Sequence, residues 1–357
     1  MLIDYLGLKK KEVLFATYVG KATLPLRKQK LNAKTIHSQF YELYETYAIN
    51  PDGTPVVVNG KFKKTYRFKL VDEIDPRIKL IVIDESGMVP EKMSEEIKTF
   101  GVPIIALGDH RQCKPIFGES ELVRNPDVIL DEIMRQKEGD PIIYLADMAD
   151  KGEIIPYGKY GPRCFVVDEG IMRYSKIYTK PDMILCSTNK TRNKINDTVR
   201  YTIKRYSDEI PRVGEKMVCR KNNWNECIDE IPLINGLNGY VINSNYDTYN
   251  GQSMEIDFKP DCTKDWFNDI PIDCEYLSLD FEDKKKYNKM YPHGNLFEYG
   301  YASTVHLAQG SQCGYALLID EPMGSDDFNN RVRYTGITRA RHTLVIVRRQ
   351  QKKFWYK

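Results

Sequence analysis

Several features are missing from these 357 residues, and each absence removes a class of protein. No run of about 18 apolar residues occurs, so no membrane-crossing helix is expected. The opening residues lack the basic, apolar and small-residue pattern of a secretory signal, and a cytoplasmic location is expected. The eight cysteines (113, 164, 186, 219, 227, 262, 274 and 313) form no C-x-x-C pair, and the five histidines do not fall around them at zinc-ligand spacing. Reduced thiols are expected in place of a disulfide framework or a structural zinc site. Charge of either sign is scarcely in excess: the net is +3, so any surface for nucleic acid has to be local. No repeat of fixed period exists, which argues against solenoids and propellers.

What is present is the composition of a globular protein, 41% hydrophobic and 29% charged, long enough for two or three domains. Short apolar runs rich in β-branched residues alternate with helical patterns. EVLFATY (residues 12–18), KLIVI (79–83), VPIIAL (102–107), MILC (183–186) and TLVIV (343–347) read as buried strands, and residues 32–47 as a helix. Strands of this kind joined by helices predict an α/β fold with parallel sheets covered on both faces. Two stretches break the rhythm. Residues 50–75 carry turn signals around VVV and TYRFKL and read as an inserted hairpin, and residues 213–280 carry N-G turns and short alternating runs of a β-rich insertion. Residues 282–289 (EDKKKYNK) read as a charged connector exposed to solvent.

Two strand ends are loaded with polar groups. Asp84 and Glu85 directly follow the buried run LIVI, and an acid pair at the carboxyl end of such a strand can hold Mg²⁺ and polarise water for phosphoryl transfer. The next strand ends in Gly108-Asp109-His110-Arg111-Gln112, where a neutral amide can sense a γ-phosphate without adding charge.

These segments resemble motifs of superfamily 1 helicases, in particular the RecD-like and Dda-like branch that moves 5′ to 3′. IDESGMV resembles motif II, GDHRQCKP motif III (usually GDxxQLxP), and LDEIMRQKEGDPIIYLA (130–146) motif IV, with Arg135 and Gln136 as its RQ pair. CSTNKTRNKIN (186–196) resembles the TNxxR…N segment, YGYASTVHLAQGS (299–311) motif V and YTGITRAR (334–341) motif VI. Six motifs in the family's order cover nearly the whole chain. The resemblance implies two RecA-like lobes: residues 1–125, with the hairpin at about 50–75, and residues 126–212 with 297–357, interrupted by a small SH3-like β-domain at 213–296. It implies ATP and Mg²⁺ as cofactors. Asp84 would help to hold the metal, Glu85 would act on the attacking water and Gln112 would sense the γ-phosphate. Arg135 and Arg339 would reach the nucleotide from the second lobe, and Gly310 would join the nucleotide-binding set. Leu307 stands where many relatives have lysine in motif V, and Gln312 where they have an acid.

The resemblance also implies a track for single-stranded or forked DNA. Thr17, Lys21, Thr35 and His37 would line it on the first lobe, and Thr188, Asn189, Thr304, His306 and Gln309 on the second. Hydroxyls and amides suit a backbone that is gripped and released in each cycle. The hairpin matches the strand-separating pin, with Tyr66 and Phe68 either as wedge residues or as packing.

Gly20-Lys21-Ala22-Thr23 at first suggests a phosphate loop, but G-x-x-x-x-G-K-[ST] needs glycine at position 15 and a hydroxyl after the lysine, and the chain has Phe15 and Ala22. TYVGKATLPLR instead resembles motif Ia, a nucleic-acid contact. No other segment supplies the loop, and MLIDYLGL (1–8) reads as the end of the helix that would follow it. A truncated product, a split gene whose upstream piece carries the loop, or a misplaced start codon is expected. The expected activity is ATP-driven helicase or translocase action on single-stranded DNA by a monomer. The alternatives are an inactive single-strand-binding remnant and a subunit of a recombination complex.

Overall fold

The computed structural model describes residues 5–47, 49, 54–58, 61–62, 64–114, 120–130, 139–228, 231–287 and 292–348. The expected helix end at 1–8 lies partly outside these residues. The chain divides into two units, Met1–His110 with Lys114–Asp127, and Arg111–Cys113 with Val128–Lys357.

The first unit holds β1 (Val13–Thr17), β2 (Ala33–Thr35), the hairpin strands β3 (Tyr41–Tyr47), β4 (Val57–Val58), β5 (Lys61–Phe62) and β6 (Lys64–Leu70), then β7 (Leu80–Asp84) and β8 (Ile104–Ala106). Four of them form a parallel sheet in the order β2-β1-β7-β8. β1 and β7 are buried on both faces, which is why they read as unbroken apolar runs, whereas β8, expected to be buried, lies at the sheet edge half-buried with Leu107 beyond it exposed. Leu14, Ala16, Ile81 and Ile83 face one cluster with Ile36, Phe40 and Ile97, while Val13, Phe15, Leu80 and Val82 face another with Leu26 and Leu31.

The helix expected over 32–47 is replaced by three elements. β2 comes first, then one and a half turns of helix, α2 (Ile36–Phe40; α1 is Thr23–Lys28), then β3. Thr35 caps α2, its hydroxyl accepting the Ser38 N–H at 3.4 Å. YELYETY then pairs antiparallel with β6, from Tyr41 opposite Leu70 to Tyr47 opposite Lys64. Its apolar spacing suits either period, and the cross-strand partner decides.

The second unit holds β9 (Gly158–Gly161), β10 (Cys164–Asp168), β11 (Met183–Cys186), β12 (Lys216–Cys219), β13 (Asn223–Ile228), β14 (Ile231–Leu233), β15 (Asn238–Asn245), β16 (Ser253–Pro260), β17 (Phe267–Asp273), β18 (Phe297–Tyr299), β19 (Ala302–Thr304), β20 (Cys313–Asp320) and β21 (Ala340–Arg348). Its main sheet runs β19-β11-β20-β21-β10-β9, parallel except for the edge strand β9. After α3 (Glu91–Lys98, in the first unit) come α4 (Pro141–Asp150), α5 (Lys176–Thr179), α6 (Asn189–Asp197), α7 (Cys274–Ser278), α8 (Phe281–Lys286) and α9 (Asp326–Ile337). Residues of α4 and α9 pack on one face of the sheet around Leu185, Leu318 and Ile346. Residues of α5, α6 and the π-helical turn Thr198–Ile203 cover the other, around Ile184, Leu317 and Val345.

The β-rich part is a five-stranded antiparallel sheet, β17-β16-β15-β12-β18, with β13–β14 as a separate hairpin. Strict alternation along β16 sends Met254, Ile256 and Phe258 inward. In the connector expected to be solvated, Glu282, Asp283, Lys285 and Lys286 are exposed as expected, on α8. Asp280 caps it, and its Lys284 donates to the Leu277 carbonyl at 3.2 Å and is partly buried, its ammonium lowered in pKa by burial. The eight cysteines are thiols rather than disulfides, four of them buried. Among the described residues no helix is long and apolar enough to cross a membrane.

Candidate functional site

In the first unit the strand register does the assembling. Thr17, the last residue of β1, lies opposite Thr35 on one side and Asp84 on the other. Three residues singled out by sequence thus form a row at the carboxyl edge of the parallel sheet, where open α/β sheets take their ligands. Both hydroxyls are already employed. Thr17 Oγ1 donates to the Val19 carbonyl at 2.8 Å, and Thr35 caps α2. Lys21 lies in a short 3₁₀ turn, Gly20–Ala22, held by the Thr23 hydroxyl on the Gly20 carbonyl at 2.7 Å. His37 packs among aromatics, its ring 4.9 Å from Phe68 and 5.6 Å from Tyr41, and burial lowers its pKa. Phe68, on the hairpin, is therefore both exposed and a packing partner. The side chain of Tyr66 lies outside the described residues.

The acid pair sits on a strained turn. Asp84 Oδ1 accepts the Glu85 N–H at 2.9 Å, and Glu85 adopts φ 52°, a left-handed conformation that costs a side-chain-bearing residue about 1 kcal/mol. The following Ser86 is fully buried, and its Oγ has no hydrogen-bond partner. Gly108, on the loop after β8, packs against it. A Cβ there would lie 2.7 Å from Ser86 Oγ and 2.8 Å from Val123 Cγ1, so only glycine lets the two loops approach. No group of three or more His, Cys, Asp or Glu forms a metal cage among the described residues. Two adjacent carboxylates at a strand end instead fit Mg²⁺, which takes one or two protein carboxylates and completes its shell with water and substrate phosphates.

In the second unit, residues far apart in sequence converge. The Gln309 amide donates to the Cys113 carbonyl at 3.3 Å, and Cys113 N–H donates to Thr335 Oγ1 at 2.9 Å. Arg331 Nη1 donates to the Gln112 carbonyl at 3.4 Å, and the Arg111 guanidinium lies 4.8 Å from the centre of the Tyr334 ring. Arg339 is 3% exposed; it donates to the Thr335 carbonyl at 3.0 Å, the Ser311 carbonyl at 3.1 Å and Thr338 Oγ1 at 3.1 Å. Gly310, at φ +73°, makes the left-handed turn between Gln309 and Ser311. Around this knot Gln112 Oε1, Gln309 Oε1 and Ser311 Oγ are buried without hydrogen-bond partners. Unsatisfied polar atoms at such density point to a polar ligand or ordered water. Cys113, where the motif III pattern has leucine, is a packing residue whose thiol burial pushes up to about 11. Arg135 lies outside the described residues.

The other predicted residues of this unit line a sheet edge. Cys186 pairs with Thr304 across β11 and β19, which sets Thr188 and Asn189 beside the β19 loop. Thr304 Oγ1 accepts the Leu307 N–H at 3.3 Å. His306 stacks on Phe328 at 5.8 Å, and burial lowers its pKa. Thr188 caps α6 and is bound to Glu321, a residue sequence reasoning passed over. The signal was available: Glu321 follows the buried run YALLID just as Glu85 follows LIVID.

Residues 299–347 match the UvrD-like helicase C-terminal domain. No curated protein sequence matches the chain. Among solved structures, Bacteroides Pif1 bound to single-stranded DNA is similar at 15% identity and TM-score 0.56, over 97% of this chain and 84% of that one. Bacteroides Pif1 helicase in complex with ADP-AlF3 and single-stranded DNA gives 15% identity and TM-score 0.54, over 98% and 85%. A structure of two coordinating Pif1 helicases at forked DNA gives 15% and 0.53, over 96% and 84%. The likeness is one of fold. The chain has the α/β architecture of these helicases, and the matched C-terminal segment includes β19, β20, α9 and most of β21.

Proposed function

We propose that the chain is the motor of an ATP-dependent DNA helicase moving 5′ to 3′ on single-stranded DNA. The observation that carries this reading is the carboxyl edge of the first unit's parallel sheet, where Thr17, Thr35 and Asp84 stand in one row and Glu85 follows on a left-handed turn. Helicase-fold structures with single-stranded DNA and with ADP-AlF3 support it.

In this reading Asp84 would help to hold Mg²⁺, which supplies charge neutralisation on the nucleotide's phosphate oxygens when bound. Glu85 orients the attacking water and takes its proton. Gln112 uses its amide to report the γ-phosphate, and Arg339 offsets charge developing on the phosphoryl oxygens. The Gln309 amide, fixed to the Cys113 carbonyl, ties the 304–309 segment to the one that carries Gln112. Thr304, His306 and Asn189 face the DNA strand. The protein acts as a monomer in the cytoplasm.

The test is ATP hydrolysis by the full reading frame, with and without single-stranded DNA. DNA-stimulated hydrolysis that Glu85→Gln abolishes while DNA binding persists supports the reading. Absence of stimulation in the wild-type protein refutes it.

A further inference from the structure

Four hydrogen-bond donors at the start of α6 point at one carboxylate. Glu321 follows β20 at the carboxyl edge of the second-unit sheet. Its Oε1 accepts the Ser187 N–H at 3.2 Å, the Thr188 N–H at 3.1 Å and the Thr188 hydroxyl at 3.2 Å. Its Oε2 accepts the Thr191 hydroxyl at 2.7 Å, and its own carbonyl accepts the Ser187 hydroxyl at 3.2 Å. Backbone amides at the positive end of a helix stabilise an anion well, so the carboxylate is a strong tether for the loop.

The consequence falls on Thr188. Its oxygen also accepts the Thr191 N–H at 3.0 Å, as the cap of α6. A hydroxyl has one proton, and here it goes to Glu321. The amides of Ser187 and Thr188 are committed as well. Within this loop, the side chain left to meet a nucleic-acid strand is Asn189, half-buried at the first position of α6.

We propose that Glu321 is a positioning residue of the nucleic-acid track. It fixes Ser187-Thr188-Asn189 beside Thr304, so that Asn189 rather than Thr188 addresses the strand. The identity of the ligand rests on the helicase reading; the loop geometry does not.

Glu321→Ala is expected to weaken binding of an oligo-dT strand about tenfold at fixed salt, because the contact is no longer held in place. The slope of log Kd against log salt should stay unchanged, since no phosphate-neutralising cation is lost. The DNA concentration for half-maximal hydrolysis should rise with it, while kcat at saturating DNA holds; a general loosening of the unit would lower both. Glu321→Gln, which keeps an acceptor and the shape, should restore binding to within about threefold. Hydrogen exchange at the Ser187 and Thr188 amides gives a DNA-independent reading: slow in the wild type, fast in Glu321→Ala. Should that variant fail to fold, Thr191→Val, which removes the 2.7 Å bond to Oε2, is expected to shift affinity and exchange in the same direction. Wild-type affinity in Glu321→Ala, or amides still protected there, overturns the proposal. Wild-type protein that binds no oligo-dT at low salt defeats the helicase reading, and the exchange measurement then decides the tether on its own.

Discussion

Replacing Arg200 by methionine leaves Glu215 without its counter-charge where water does not reach. The two side chains are 1% and 0% exposed. The guanidinium donates to Glu215 Oε1 at 2.9 Å and Oε2 at 3.3 Å, to the Ile210 carbonyl at 2.9 Å and to the Asp208 carbonyl, and lies 4.0 Å from the centre of the Tyr299 ring. Breaking a buried pair by removing one partner costs about 3–5 kcal/mol, even where the intact pair is worth little against apolar replacements. Glu215 would keep the Tyr301 hydroxyl at 2.8 Å and the Arg212 N–H at 3.0 Å, which puts the ion-pair loss at the low end. The orphaned Asp208 and Ile210 carbonyls add about 1 kcal/mol between them after partial hydration. The expected cost is therefore about 4 kcal/mol, a fall in Tm of about 8–16 °C for a unit of this length. Thermal and urea unfolding of Arg200→Met, Glu215→Leu and the double variant measure it, and the cycle should show a coupling of at least about 2 kcal/mol. A single-variant cost below about 1 kcal/mol, or additive costs in the cycle, would refute the reasoning.

Glu85→Asn places at φ 52° a residue that tolerates the left-handed region, and is expected to raise stability by about 0.5 kcal/mol while abolishing hydrolysis; unfolding midpoints and turnover check the two halves. Gln112→Ala removes a buried oxygen that has no partner, so Tm should move little, by the equivalent of under about 1 kcal/mol, while the stabilisation gained from added nucleotide falls away. His37 is held below its ordinary pKa of 6.5 by burial, so the unfolded chain binds a proton more readily than the folded one. Stability from this group is complete above pH 6.5 and is lost as pH falls below it; urea midpoints at pH 7.5 and 5.5 should differ less in His37→Gln than in the wild type. His306, shifted in the same direction, keeps part of the dependence in that variant.

The buried strands are legible because a sheet covered on both faces demands apolar residues at every position, and LIVI and MILC satisfy that without reference to any partner. Residues 32–47 read as helix because tyrosines spaced three apart suit one, yet the same segment alternates well enough for a strand; the pairing of Tyr41–Tyr47 with Lys64–Leu70 settles it. The charge of residues 282–286 reports exposure correctly at four positions; Lys284 alone is partly buried, its ammonium donating to the Leu277 carbonyl.

The sequence by itself determined the motif order, the strand ends that carry polar groups, and the misfit of Gly20-Lys21-Ala22 to a phosphate loop, because these depend on residue type and spacing along the chain. Only the tertiary structure decided the partners. Strand order β19-β11-β20 brings Glu321 to Thr188 across 133 positions, and the packing of Arg111–Cys113 within the second unit brings Gln309 to Cys113 across 196. A hydroxyl or amide commits its few protons to whatever acceptor lies within about 3 Å, and neighbours at that distance are set by the fold rather than by the chain.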